Sequence, residues 1–167
     1  MSDDLSICLS CGLCCDGTVI GFVELNDEEK PSIKKLMDIE DEGGNGFFLQ
    51  PCDKFCDGCT IYEDRPKHCG TFKCGLLKSV EQNELDFNVA VDMVHEIKQK
   101  KRVIEEQVTT QQWQLTSPSF YFRMIELKKI LDENHEASNL SKDHFELLKN
   151  LNELELLLLK NFEVSLF

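Results

Sequence analysis

Nine cysteines, all between residues 8 and 74, are the residues of this sequence with the clearest capacity for chemistry. Because nine is an odd number, disulfide pairing cannot use them all, whereas cysteine thiolates are ligands of zinc and of iron–sulfur clusters. The first group is the run CLSCGLCC at residues 8–15, which contains two overlapping C-x-x-C spacings. That spacing lets two thiolates converge on one metal. The cysteines therefore predict metal binding.

Two further groups follow, Cys52 with Cys56 and Cys59, and then Cys69 with Cys74. One tetrahedral ion or one four-iron cluster takes four thiolates, so nine thiols predict two metal centres, or one centre with spare sulfurs. The adjacent Cys14 and Cys15 point to opposite sides of an extended backbone, so either they serve different metals or one of them is a free thiol. Cys56 is a candidate for the odd ligand.

Alternatives to a purely thiolate site exist. Single members of the group, such as Cys15, Cys56 or Cys74, could be ordinary buried cysteines, although nine of them in repeated C-x-x-C spacings do not fit that interpretation. A thioredoxin-like redox pair lacks its βαβ setting around Cys8. His68, next to Cys69, could complete a mixed site through a ring nitrogen.

The choice between zinc and iron depends on small differences. The spacing of the first three cysteines, with a remote fourth, is similar to ferredoxin ligation but lacks the closing C-x3-C-P. Glycines directly follow Cys11, Cys69 and Cys74, and the CDGC run at 56–59 is typical of zinc knuckles. We therefore favour zinc slightly over an iron–sulfur cluster.

The elements that must position these thiols are short in the first half of the chain. Residues 18–25 and 47–49 predict strands, residues 31–39 predict a helix, and the glycines at 43–46 predict a turn. We place a boundary near Lys78, with a cysteine-cluster module over 1–78 and a helical segment over 79–167 that packs on it as one unit.

Apolar residues in the second half recur at intervals of three and four, which predicts three helices. The first runs from Phe87 and ends near Trp113, the second opens at Ser117-Pro118, and the third is capped by Ser141. The predicted fold class is α+β: an irregular, metal-stapled module with short strands, followed by an antiparallel helical segment. The apolar run at 156–159 is expected to bury against the module or a second subunit.

Composition excludes several classes of protein. Hydrophobic residues make up 41% and charged residues 29% of the chain, which is typical of a soluble globular protein. The acidic start carries no secretory signal and the longest apolar run is too short for a bilayer, so we expect a cytoplasmic protein without a membrane span. A formal charge of −13 argues against nucleic acid as a partner. The basic run at 98–102 is interpreted as a solvated helix face.

The motifs together resemble a known family. The run at 8–15, Pro51-Cys52, the stretch CTIYEDRP at 59–66 and the pair Cys69 and Cys74 are similar to the bacterial CxxCxxCC cysteine-cluster (YkgJ-like) family, described as a zinc- or iron-chelating domain. The resemblance spans about residues 8–76. It implies metal chelation by eight thiolates: Cys8, Cys11, Cys14, Cys15, Cys52, Cys59, Cys69 and Cys74.

The chain departs from that family at two positions, since Gly70 stands where arginine is often found and Cys56 is additional. Arg65 either offsets thiolate charge or pairs with Glu63 or Asp64. Some flagellin lysine methylases carry a similar cysteine motif, which suggests methyl transfer as an alternative. The alternative is remote, because a methyl donor needs a binding loop and the only glycine cluster lacks a strand–turn–helix setting.

Three functions remain open at this point. The first is a metal-binding module without chemistry of its own, whose helices dock a protein partner or a second copy. The second is an iron–sulfur redox protein or enzyme. The third is a thiol or metal sensor in which a subset of thiols, such as Cys15 and Cys56, stays free and reactive.

Overall fold

The structure is a computed structural model that describes residues 6–136 and 141–167. It begins with a short helix, α1 (Ile7–Cys11), which carries the first two cysteines. The Ser6 hydroxyl accepts a hydrogen bond from the Cys8 amide and caps its start, and Gly12 ends the helix in the left-handed conformation at φ 69°. The cap turns the chain immediately toward Cys14 and Cys15.

A three-stranded antiparallel sheet follows, built from β1 (Phe22–Leu25), β2 (Glu40–Glu42) and β3 (Asn45–Leu49). The strand order is β1-β3-β2, and Phe22 pairs with Leu49. A short helix, α2 (Lys30–Ile33), connects the first two strands. The sheet and α2 enclose a small group of buried side chains, here called the sheet core: Val23, Leu25, Ile33, Met37 and Phe48.

The segment after the sheet carries the remaining cysteines on short elements. A 3-10 turn (Tyr62–Asp64) precedes α3 (Lys67–Thr71) and α4 (Gly75–Glu81). Helix α3 packs against β1, while α4 packs against α5 and α7. The boundary that we expected near Lys78 therefore falls inside α4.

Three long helices form the second half: α5 (Phe87–Thr110), α6 (Phe120–Glu136) and α7 (Lys142–Phe162). Asp86 caps α5 through its carboxylate, and Ser141 caps α7 by accepting from the His144 amide. Their apolar stripes enclose the larger group of buried side chains, here called the main core, whose largest members include Ile97, Ile104, Phe120, Leu127, Leu151 and Phe162. Ile7 and Leu13 from the cysteine-bearing segment also belong to it.

The predicted α+β class is confirmed, but several element boundaries were wrong. The strand expected over 18–25 begins at Phe22, because the amides of Thr18 and Val19 donate to the Leu13 carbonyl in a turn instead. The helix expected over 31–39 is only the short α2. Helix α6 starts after Pro118, since the Ser117 hydroxyl accepts from the Ser119 amide. Helices α1, α3 and α4 and strand β2 were not predicted.

The apolar run at 156–159 is not buried as a whole. Leu158 belongs to the main core, whereas Leu156 and Leu159 are exposed. Among the described residues, no helix combines the length and apolar character that a bilayer crossing needs.

Candidate metal centre

Eight of the nine cysteines line one cavity of about 180 Å³. They come from five places in the chain: α1, the turn after it, the loop after β3, helix α3 and the N-terminus of α4. Apolar side chains form most of the remaining wall, among them Leu13, Val19, Phe48 and Leu76. The eight are those that the family resemblance implies as ligands: Cys8, Cys11, Cys14, Cys15, Cys52, Cys59, Cys69 and Cys74.

Mutual electrostatic effects divide these thiols into two groups. Burial raises the pKa of Cys11 to about 12, and the neighbouring Cys74 and Cys8 act in the same direction. Burial also raises the pKa of Cys14 well above its ordinary value, again with Cys11, Cys74 and Cys8 nearby. We call these four the first thiol set: Cys8, Cys11, Cys14 and Cys74.

The other four interact in the same way. Burial raises the pKa of Cys15 to about 12, and Cys52, Cys59 and Cys69 raise it further. The pKa of Cys69 is also raised to about 12, first by burial and then by Cys52 and Cys59. We call these the second thiol set: Cys15, Cys52, Cys59 and Cys69.

The boundary between the two thiol sets falls between Cys14 and Cys15, which are adjacent in the chain. Cys14 packs against the main core, whereas the Cys15 carbonyl accepts a hydrogen bond of 2.8 Å from the Cys52 amide and faces the loop after β3. Cys15 also raises the pKa of Cys14, by less than Cys11 and Cys74 do but by more than Cys8 does, so the two sets are direct neighbours. One thiol of the pair lies with each set, which matches the alternative in which Cys14 and Cys15 serve different metals.

Close backbone packing fixes the loop that carries Cys52 and Cys59 against α1. A Cβ atom on Gly12 would stand 2.5 Å from the Phe55 ring, so only glycine leaves room for that ring. Phe55 and Cys59 form an isolated antiparallel bridge within the loop. At the other end of the cavity the Cys74 sulfur caps α4 by accepting from the Leu77 amide at 3.5 Å.

Each set has a nearby cation that favours thiolate charge. Lys98 lowers the pKa of Cys11, and Arg65 lowers the pKa of Cys69, although burial dominates in both cases. The Arg65 guanidinium lies 3.7 Å from the centre of the Tyr62 ring, which holds it in place. In the described part of the chain Arg65 forms no ion pair with Glu63 or Asp64. The position of Arg65 therefore matches the interpretation in which it offsets thiolate charge.

The two additional candidates lie apart from the cavity. Cys56 is exposed and does not line it, and its thiol belongs to neither set. His68 does not line it either, and its Nδ1 accepts a hydrogen bond of 3.0 Å from the Glu24 amide. His68 thus attaches α3 to β1 and orients Cys69 from outside the site.

The donor set fits a metal in type and number but not in the spacing of its sulfurs. Over residues 6–136 and 141–167, no three His, Cys, Asp or Glu side chains stand close enough together to hold an ion in this conformation. All nine thiols are free of disulfides. In donor type and number, four thiols in each set fit a zinc ion or an iron–sulfur cluster. Coordination requires the sulfurs of each set to move closer together than they stand here.

Two features near the thiols were not predicted from the sequence. Gln50 is 2% exposed, lines the cavity, and its Oε1 has no hydrogen-bond partner within the described residues. Lys101 on α5 pairs with Asp16 at 3.0 Å and donates to the Asp16 carbonyl, with both side chains largely buried. The basic run of α5 is therefore not simply a solvated face, since Lys100 also pairs with Glu153. Only spatial proximity reveals these contacts.

Comparison of the chain with protein-family models, curated proteins and solved structures found no match in any of the three.

Proposed function

We propose that this protein binds metal through two four-cysteine centres, formed by the first and second thiol sets, without catalysis of its own. The observation that carries the proposal is that eight thiols from five chain segments line one cavity and separate into two groups of four. Four thiolates are the complete ligand set of a structural zinc ion. Closed coordination of this kind leaves no open position for a substrate.

Zinc is the metal that we favour, and an iron–sulfur cluster is the alternative. Thiolates suit both, and the bound metal would stabilise the charged form of thiols whose pKa values are otherwise raised by burial. The resemblance to the CxxCxxCC family supports chelation in general and does not separate the two. Redox chemistry or, remotely, methyl transfer would follow only from the iron–sulfur alternative.

Anaerobic purification followed by metal and acid-labile sulfide analysis tests the proposal. We expect zinc in a ratio of two per chain, no labile sulfide and a colourless preparation. A brown preparation containing iron and sulfide would favour the cluster alternative. Reduced protein that carries no metal, and keeps its fold in a strong chelator, would contradict metal binding altogether.

Matched cysteine variants provide a control for the metal content. Cys59→Ser removes one member of the second thiol set, while Cys56→Ser changes a nearby thiol that belongs to neither set. We expect the first variant to lose about half of the bound metal and the second to keep all of it. Equal losses in the two variants would contradict the assignment of the sets.

Location and partners are part of the proposal. Nine cysteines without a disulfide are suited to a reducing compartment, so we assign the protein to the cytoplasm. Its charge disfavours nucleic acid. Exposed Phe145, Leu156 and Leu159 lie along one side of α7, where a protein partner or a second copy would contact it. Gel filtration of Leu156→Glu against the unchanged protein tests self-association there.

A further inference from the structure

We infer that the two thiol sets have different tasks: the second set holds a structural metal that organises the N-terminal half, and the first set holds an exchangeable metal that enters and leaves through Cys8. The inference rests on the proposed metal binding. It is carried by two differences between the sets, in the exposure of their cysteines and in the support of their backbone.

Exposure is the first difference. Cys8 is exposed, while the other three thiols of the first set are half-buried. All four thiols of the second set are half-buried. An incoming ligand can therefore reach a metal in the first set by displacing Cys8, whereas the second set has no exposed cysteine. Surface position at the start of α1 also allows Cys8 to swing away from the site.

Support from the folded chain is the second difference. Cys11, Cys14 and Cys74 all pack against the main core. Helix α1 contacts α4 and α5, so the helical half holds this backbone in position whether or not a metal is bound. Emptying the first set should therefore leave the fold intact.

The second set has less of that support. Cys52 and Cys69 pack against the sheet core, which has only five buried side chains. Its four ligands come from three chain segments, with 36 residues between Cys15 and Cys52 and nine between Cys59 and Cys69. The longer separation in the first set, 59 residues between Cys14 and Cys74, is already closed by the packing of α4 against α1 and α5. A metal that joins the three segments of the second set closes long loops, which restricts the unfolded chain. Emptying the second set should therefore disorder the N-terminal half.

Metal transfer through Cys8 is a ligand exchange without a change of oxidation state. The sulfur of an incoming thiol forms a new bond to the metal as the Cys8–metal bond breaks. The proton of the incoming thiol ends on the Cys8 sulfur, so the charge of the centre is unchanged. A solvent-exposed thiol donor, such as a cysteine of another protein or a small thiol, is the chemical class that this step accepts.

The test follows the release of zinc from fully loaded protein to a chromogenic chelator. We expect two phases of equal amplitude, separated by roughly tenfold or more in rate, with the fast phase assigned to the first set. Cys8→Ser should lose the fast phase or bind only the slow zinc. Cys56→Ser, which removes an exposed thiol of neither set, should release zinc as the unchanged protein does.

Limited proteolysis after each phase links release to structure. Protein that has lost only the fast zinc should resist cleavage as well as loaded protein does, and cleavage within residues 15–74 should appear with the slow phase. Release of both ions in one phase, or cleavage already after the fast phase, would overturn the division of tasks while leaving metal binding intact. A chain that binds no zinc would instead refute the proposed function.

Discussion

Gly12 lies at the contact between helix α1 and the loop that carries Cys52 and Cys59. Its positive φ of 69° ends α1, and its missing side chain makes room for Phe55. We expect Gly12→Ala to cost about 1–2 kcal/mol from backbone strain alone, and more because a Cβ atom would displace Phe55 and the loop bearing Cys52 and Cys59. Chemical denaturation and zinc titration measure the two effects.

Gly43 provides the matched control for that change. It also has a positive φ, 66°, but a Cβ atom there would meet nothing within 4 Å. Gly43→Ala should therefore show the strain without the displacement and should keep its zinc affinity. Equal losses of zinc affinity in the two variants would show that Phe55 packing does not position the second set.

Protons must leave the thiols when metal binds. Because burial raises the pKa values of Cys11, Cys15 and Cys69 to about 12, these thiols are protonated at neutral pH in the metal-free protein. Zinc binding should release their protons, and the apparent zinc affinity should rise by about tenfold per pH unit for each proton released. An indicator dye in weak buffer measures the release. Zinc binding that is independent of pH would contradict thiolate coordination.

At the level of elements, the Lys101–Asp16 ion pair connects α5 to the turn after α1 that carries Cys14 and Cys15. The Lys101 and Asp16 side chains are only 13% and 19% exposed, so removing the ammonium leaves a largely buried carboxylate without its counter-ion. We expect Lys101→Met to cost about 2 kcal/mol, less than for a fully buried pair, and to weaken zinc binding because the turn holds Cys14 and Cys15. Denaturant unfolding and zinc titration test this together.

A surface pair in the same helical half serves as the control. Lys149 is 67% exposed and stands 3.9 Å from Glu153. Lys149→Met should change the free energy of unfolding by less than about 0.5 kcal/mol and leave zinc binding unaltered. If both lysine variants behave alike, the Lys101–Asp16 pair does not anchor the turn.

The type of an element was predictable from the sequence where apolar residues recurred at helical spacing over several turns. The three C-terminal helices follow from apolar residues at helical spacing and from the cap at Ser141, which are local signals, whereas the Asp86 cap of α5 was not predicted. The short helices α1, α3 and α4 have too few residues for a periodic pattern, and β2 is an acidic strand that exists through its pairing with β3. Their positions depend on tertiary contacts that a single sequence does not display.

The cysteines of the candidate site were predictable from the sequence, but their division into two thiol sets was not. Cysteine count and spacing predicted metal binding and the family resemblance implied the eight thiols, but Cys74 joins the first set only because α4 packs beside α1. Cys56 continues the cysteine pattern as well as its neighbours do, yet its side chain faces solvent. Gln50 had no local signal at all, since its burial results from the meeting of β3 with the cavity wall.

For the whole molecule, the raised thiol pKa values predict an alkaline limit to the stability of the metal-free form. Below pH 9.0, the ordinary thiol value, folded and unfolded chains both keep these protons. Above it the unfolded chain releases them while the folded chain retains them up to about pH 12, so the free energy of unfolding falls through that window.

Urea unfolding at a series of pH values compares metal-free with zinc-loaded protein. The loaded form should lose less stability over the same window, because its coordinated thiols have already given up their protons. Because the two curves come from the same chain, their difference reports the protons that the coordinated thiols have given up. Parallel curves would mean that the coupling between burial and thiol protonation is absent.

The single peptide bond between Cys14 and Cys15 has a consequence for how the two ions load. Coordination of Cys15 restricts the dihedral angles of a backbone unit that Cys14 shares, so the entropy lost in forming the second-set centre need not be lost again when the first fills. Filling of the second set should thus raise the zinc affinity of the first. Zinc titration should show a lower affinity at the first set in Cys59→Ser, which cannot complete the second centre, than in the unchanged protein.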